Sequence, residues 1–431
     1  MNLKHSRYLI ISLLIIIITS CKKEVNSDPQ IIIISPTENQ QFNVLDTIQV
    51  KCIVYDDNGI ENIKTVLVNE SLIPVLNPVN YYPQTENKNI DLEILYPVDD
   101  IHLESGKYFI LVRAFDGTNF KNKYVSINLV EVPKELEKLI VLTKPDNFTT
   151  NVFSVNPVFE IEEEFVIDGN YISSDISSKY RQLYITGDIP CKLFVFDLEE
   201  NELDWSVDAS MPYPVFSNVY YNDGTVYTSS ENGNITGYNN VGTVNLSTDF
   251  TTDSLPTKLL IHGEFILSDL KLRTGPQRLI ATYYLVSGVK KQQIITNFKV
   301  IDFYLVDENN IIVFAVQNNT GKIFIYNVTE NYISEPVHIF NNEIISTSII
   351  NKSNFLVGTN NTIWLFNSSN SSTISVVEGI TASQLEYDEL NEIIFATELN
   401  NINFFQYPSG ELINTVNYGD SILNIHLLYN K

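Results

Sequence analysis

The amino-acid order predicts an all-β chain in two parts: a small β-sandwich, then a seven-bladed β-propeller closed by the C-terminal strand. Three observations carry this. Val, Ile, Tyr, Phe and Thr dominate the apolar runs, which is the composition of strands. Between residues 30 and 132, short alternating runs are separated by turn clusters. Beyond Pro133, apolar runs recur at a near-constant interval of about 40 residues, the period of a four-stranded blade.

The chain begins with a positive stretch, Lys4 and Arg7, followed by the apolar run Leu9 to Ile18. A run of roughly ten residues is too short to cross a bilayer, which takes about 20, and fits the core of a signal peptide. Ile18-Thr19-Ser20-Cys21 resembles a bacterial lipobox, in which the thiol becomes the acylated N-terminus of the mature protein. That resemblance implies a signal peptide over 1–20, lipidation of Cys21 and a flexible tether over 21–29. Each acyl methylene buried in a membrane contributes ~0.8 kcal/mol, so such a modification turns a soluble chain into an anchored one. In lipoprotein families an Asp after the Cys retains the protein at the inner membrane. Lys22 stands there instead, which points to the cell envelope and its outer membrane.

Composition narrows the partners. Removing residues 1–20 takes away Lys4 and Arg7 and no acid, which leaves 25 basic residues against 52 acidic ones, a formal −27. Nucleic acid is excluded as a partner, because phosphate binding depends on Lys and Arg. An acidic surface that keeps the chain soluble accounts for the charge. Besides Cys21 only Cys52 and Cys191 occur, one in each expected domain, so no disulfide between them is expected.

Within 30–132, strands are predicted at Ile31–Ser35, Thr47–Tyr55, Ile63–Val68, Ile90–Tyr96, Gly106–Phe115 and Tyr124–Val130. Six short alternating strands at this spacing read as a sandwich. The series Ser35-Pro36, Asp46-Thr47-Ile48, Asp56-Asp57-Asn58-Gly59-Ile60 and Arg113-Ala114-Phe115-Asp116-Gly117 resembles the immunoglobulin-like domains of bacterial surface lipoproteins. The resemblance spans about a hundred residues and implies a fold, not an activity. Asp56, Asp57 and Asp116 fall at loop tips, where gathered carboxylates can hold Ca²⁺. Asp-Asn-Gly is more often simply the chemistry of a hairpin turn. No cofactor is expected, with Ca²⁺ at Asp56, Asp57 and Asp116 as the alternative.

From 133 to 431 the propeller is predicted from seven apolar runs, at Ile140, Leu183, Val226, Ile266, Ile312, Phe355 and Ile394, with offsets of 43, 43, 40, 46, 43 and 39 residues. Polar turns such as Asn318-Asn319, Asn360-Asn361 and Asn400-Asn401 join several of these runs to a second apolar run, which makes them hairpins of middle strands. The segment Ser421–Leu428 has no blade of its own and is expected to complete the blade begun at Ile140, which leaves no exposed edge. Phe194-Val195-Phe196-Asp197-Leu198 with Leu203-Asp204-Trp205, and Tyr407-Pro408-Ser409-Gly410-Glu411-Leu412, resemble the blade motif of quinoprotein-like and WD40-like propellers. The blade beginning at Ile266 departs most, with an apparent insertion over Lys271–Arg278.

No constellation announces a reaction. There is no phosphate loop, nucleophile elbow or HExxH helix. The only Trp residues, Trp205 and Trp364, sit at blade-packing positions, so no quinone cofactor is expected. His262 and His426 occupy similar places in their blades and form a weak candidate ligand pair, with packed or surface histidines as the plainer reading. The acidic run Glu160, Glu162, Glu163 and Glu164 reads as a charged edge on an outermost strand. Arg273, Arg278, Lys290 and Lys291, with Tyr283 and Tyr284, form the main basic concentration of the propeller and are the expected contact surface. The functional expectation is therefore a membrane-anchored, non-catalytic binding or scaffold lipoprotein presenting a propeller surface to a protein or glycan. The alternative is a glycan lyase or hydrolase at the channel mouth, which requires carboxylates, His or Tyr converging from several blades.

Overall fold

A computed structural model of the chain describes residues 27–83, 88–208, 216–251 and 253–431. Cys21 and the expected signal segment lie outside the described residues. Every regular element among the described residues is a strand. The chain divides into two compact units, residues up to Pro133 and Lys134–Lys431.

In the first unit, two sheets share one core. One pairs Gln30–Ser35, Thr47–Tyr55 and Asn89–Pro97; the other runs Gln40–Asn43, Phe120–Val130, Gly106–Phe115, Asn62–Val68 and Val79–Tyr81. Strict alternation decides which side faces in. On Thr47–Tyr55 the buried residues are Ile48, Val50, Cys52 and Val54, and on Asn89–Pro97 they are Ile90, Leu92, Ile94 and Tyr96. They meet Ile63, Ile110, Val112 and Ile127 of the second sheet. Fully burying such a side chain is worth about 1.5–3 kcal/mol. Tyr96 does more than pack: its hydroxyl accepts from the Leu67 amide of the opposite sheet (3.1 Å) and donates to the Asn77 carbonyl (2.9 Å). A phenol buried this deep needs such partners. All six predicted strands are present, and the two additional ones, Gln40–Asn43 and Val79–Tyr81, are too short and polar to leave a period.

The second unit has the character of a β-propeller. Its described residues form seven antiparallel sheets in chain order: sheet 1 over 173–208, sheet 2 over 216–247, sheet 3 over 254–296, sheet 4 over 299–339, sheet 5 over 344–378 and sheet 6 over 384–417. Sheet 7 takes its first strand, Ser421–Tyr429, from the C-terminus and its other three, Leu136–Lys144, Thr149–Val155 and Ile161–Asp168, from the start of the unit. Ser421–Tyr429 lies antiparallel to Leu136–Lys144, with His426 opposite Ile140. The first strand of each sheet contacts the first strand of the next, and that of sheet 7 contacts that of sheet 1.

Each of the seven recurring apolar runs is the second strand of its sheet. These strands are buried almost throughout, as in Gln182–Asp188 and Asn310–Gln317, because a neighbouring sheet covers each face. The turn Asn318-Asn319 holds both residues at positive φ (52° and 60°), the conformation a two-residue hairpin requires and one that Asn tolerates. Glu160, Glu162 and Glu163 are exposed at the start of the outermost strand of sheet 7, while Glu164 turns back to Lys138 (2.8 Å). One expectation is corrected here. Lys271 and Arg278 face each other as the last pair of an ordinary hairpin, so sheet 3 carries no long insertion. Sheet 4 is the irregular one, with its outer strand broken into Tyr332–Ile333 and His338–Ile339.

Deleting residues 421–431 removes the first strand of sheet 7 and uncovers the inner edge of Leu136–Lys144. The deletion variant is expected to lose the cooperative unfolding transition of the second unit in circular-dichroism melts. A variant that melts at the parent temperature would overturn the role given to this strand.

Candidate functional site: the axial ring

The first strands of the seven sheets surround a common axis, and each joins the next through a side chain. Ser174 of sheet 1 meets His426 Nε2 (2.7 Å) and Asn424 Nδ2 (3.1 Å) of sheet 7. The next residue turns the opposite way, as strand geometry dictates. Asp175 accepts from the Tyr221 amide of sheet 2 (2.6 Å), and Ser173 donates to Asn218 (3.1 Å). Ser217 donates to the Pro256 carbonyl of sheet 3 (2.6 Å). Lys258 of sheet 3 lies 3.9 Å from Asp302 of sheet 4. Tyr304 shares a hydrogen bond with Thr347 of sheet 5 (3.1 Å). Ser346 donates to Ala382, just ahead of sheet 6 (2.7 Å), and Gln384 of sheet 6 donates to the Leu423 carbonyl of sheet 7 (3.4 Å). The circle is complete.

Three carboxylates from three sheets share this interior: Asp175, Asp302 and Glu386. Protein surrounds them on most sides, yet each keeps part of its surface accessible to solvent. Burial pushes the Asp175 carboxyl up to about 6, against the stabilising amides of Tyr221 and Ile176. Burial, then the charges of Asp175 and Asp302, push Glu386 up to about 8, so Glu386 holds its proton at neutral pH. Tyr220 and Tyr304 stand close enough to these acids that burial and the nearby carboxylates together raise their phenols. Burial drives His426 down to about 4, which leaves a neutral imidazole against Ser174.

The expected site residues fare differently. Arg278 and Tyr283 are buried, which removes them from the expected contact surface. Arg278 donates from Nε to both carboxylate oxygens of the fully buried Asp269 (3.1 Å each) and from Nη2 to Thr257 (2.7 Å). It is an internal counter-ion, and a cation that satisfies a buried acid cannot also meet a partner. Burial lifts the Tyr283 phenol to about 12. Arg273, Tyr284 and Lys290 are exposed, while Lys291 lies half-buried with its ammonium 3.9 Å from the centre of the Phe265 ring.

The loop carboxylates of the first unit are engaged by their own turns. Asp56 accepts from the Asn58 amide (2.7 Å), Asp57 from the Tyr55 hydroxyl, and Asp116 from the amides of Thr118 (2.7 Å) and Asn119 (2.5 Å). Among the described residues no group of three His, Cys, Asp or Glu side chains is placed to hold a metal. His262 and His426 are not brought together: His262 meets the Glu308 carbonyl in sheet 4 (2.6 Å), and His426 faces sheet 1.

Two outcomes follow. Asp269→Ala leaves Arg278 buried without its counter-charge and should destabilise the protein by about 3–5 kcal/mol in urea unfolding; a loss below about 1 kcal/mol would contradict the internal role. The folded Glu386 carboxyl binds its proton more tightly than an unfolded one, whose pKa is about 4.3. Its contribution to stability is therefore full below that value and is lost as pH rises towards about 8. Melting temperature should fall across this window, and Glu386→Gln should flatten the fall; an unchanged pH profile in the variant would refute the assignment.

No protein-family model matches the chain, and no curated protein matches it in sequence. Among solved structures it is similar to the computationally designed Ika8 protein, at 12% identity and a TM-score of 0.44, over 73% of this chain and 94% of that one. It is also similar to U3-55K, at 8% identity and a TM-score of 0.47, over 58% of this chain and 83% of that one. A chain of the mitotic checkpoint complex is similar at 12% identity and a TM-score of 0.47, over 62% and 90% of the two chains. Likeness this remote carries no argument about ligand or activity.

Proposed function

We propose that this chain is a membrane-anchored, non-catalytic binding or scaffold lipoprotein. In this reading Cys21 carries the lipid, an immunoglobulin-like domain acts as spacer, and a seven-bladed propeller closed by its C-terminal strand presents a surface to a protein or glycan partner at the outer membrane. The observation that supports it is how the axial side chains are used. Asp175 takes up two backbone amides, His426 is a neutral partner of Ser174, and Asp302 lies beside Lys258. Groups arranged in this way brace the sheets against one another and leave recognition to the outer surfaces and loops.

A second reading, a glycan-active enzyme working at the axis, is favoured by one specific observation. Carboxylates from three sheets, Asp175, Asp302 and Glu386, converge there with the phenols of Tyr220 and Tyr304, the kinds of group that acid–base catalysis uses.

The two readings separate experimentally. Pull-down of the acylated protein from detergent-solubilised membranes should recover an outer-membrane porin or transporter reproducibly. Turnover on a polysaccharide panel that disappears in Glu386→Gln would reverse the ranking. Cys21→Ala should move the protein from the membrane to the soluble fraction; continued membrane association would refute the anchor.

A further inference from the structure

Both sheets of the first unit have an end at the point where the chain enters. Gln30, Tyr55 and Asn89 stand level there in one sheet, and Asn62, Phe115 and Phe120 in the other. Residues 56–61 cross between the sheets at this end, and the Glu61 amide donates to the Phe115 carbonyl (2.9 Å). Asp28, on the entering chain, lies 4.0 Å from Lys121. Among the described residues of this unit, four aromatic side chains are exposed: Tyr55 (44%), Tyr81 (38%), Tyr82 (65%) and Phe120 (58%). All four lie at the entry end, since Tyr81 pairs with Ile63, next to Asn62. The exposed Leu45, Leu72 and Ile73, at the opposite end, are aliphatic. Three strand spacings, roughly 14 Å, separate Phe120–Val130 from Val79–Tyr81, and the sheet bearing Tyr55 packs about 10 Å away. The rings therefore spread over the end of the sandwich and do not close on one another.

We propose that this end of the first unit rests on the headgroup layer of a zwitterionic bilayer, with the exposed rings at the boundary between headgroups and acyl chains. Aromatic side chains with a polar tip favour that level, where ring and hydroxyl each meet a matching environment. The length of the tether selects this occupant. Cys21 stands nine residues before Gln30, and nine residues span at most roughly 30 Å when fully extended. A lipid on Cys21 therefore keeps the entry end within reach of the bilayer, while the aliphatic end lies a strand length further off. Two of the rings are already held in place. The Tyr55 hydroxyl donates to Asp57, and the Arg113 guanidinium lies 5.0 Å from the centre of the Phe120 ring. Groups fixed before contact have less freedom to lose on contact. Charge chooses the lipid. Exposed Lys88 and Lys121 stand among exposed Asp28, Asp57 and Glu61. That mixture suits headgroups carrying ammonium and phosphate together, whereas an anionic leaflet attracts clustered bases. The proposal rests on the lipid anchor above and turns a loose tether into an oriented contact.

The test places the full acylated chain on phosphatidylcholine vesicles whose acyl chains are brominated near the headgroup, and reads quenching of tryptophan emission. Trp205 and Trp364 supply the same background in every variant and are subtracted with the parent. The added emission of Tyr82→Trp and of Phe120→Trp should fall about twofold relative to vesicles without bromine, because a ring at the headgroup boundary meets the quencher. Ile73→Trp, at the opposite end of the unit, should keep its emission. All three positions are exposed, so each variant should keep the parent melting temperature. No quenching at Tyr82→Trp and Phe120→Trp, or equal quenching at all three positions, overturns the seating. Sedimentation with the vesicles, run with and without Cys21→Ala, keeps the two claims apart. A chain that sediments through Cys21 without quenching sinks the seating and leaves the anchor standing. Quenching and sedimentation that both survive Cys21→Ala sink the anchor and leave the seating.

Discussion

The second unit depends on a constraint that acts on sheets rather than on residues. Its second strands are apolar on both faces, so each sheet must have a covered surface on either side. A row of such sheets would always leave two faces wet, one at each end. A circle leaves none, and the sequential contacts of the first strands form one. The polar links of the axis sit inside that arrangement. They add little cohesion individually, since a net hydrogen bond is worth about 1 kcal/mol. They do fix how each sheet is seated against the next, because an unpaired Asp or Ser in that interior would carry a desolvation penalty.

Much of this was legible in the amino-acid order, and the reason is physical. Burial on both faces writes a continuous apolar run, and seven such runs at a steady interval are visible without any structure. The turn residues between them, above all Asn318-Asn319, mark the hairpins because few other residues accept positive φ. In the first unit, alternation on Thr47–Tyr55 and Asn89–Pro97 has a period of two that only a half-buried strand produces. The axial ring left a fainter trace. It takes one or two polar residues from each sheet, and one polar residue in a short strand looks like surface. Yet a signal exists: Asp175, Lys258, Thr347 and Glu386 each stand eight residues before the apolar run of their own sheet, at Leu183, Ile266, Phe355 and Ile394. Reading the period for its polar positions, as well as its apolar ones, finds them.

The basic patch shows the opposite failure. Arg278 counts as surface charge in any composition-based reading, and nothing near it in the chain says otherwise. Its partner Asp269 lies nine residues away across a hairpin, and only the pairing of the two strands brings them together. Sheet 4 was illegible for a related reason. Its break falls on a polar outer strand, where neither period nor burial constrains the sequence, so the irregularity was assigned to the wrong sheet.

The pairing of Ser421–Tyr429 with Leu136–Lys144 also sets a timetable. The Glu135 amide hydrogen-bonds the side chain of Asn430, 295 positions further along the chain. A ribosome must therefore deliver the chain through Asn430 before the ring can shut. Until then the nascent chain carries an open β-edge and at least one uncovered apolar face, the two features that invite wrong pairings with other chains. Long-range contacts of this kind are slow to form as well, since the closure entropy of so long a loop precedes any gain. The architecture that covers the inner edge of Leu136–Lys144 in the finished molecule is thus the one that keeps that edge exposed for longest while the molecule is being made.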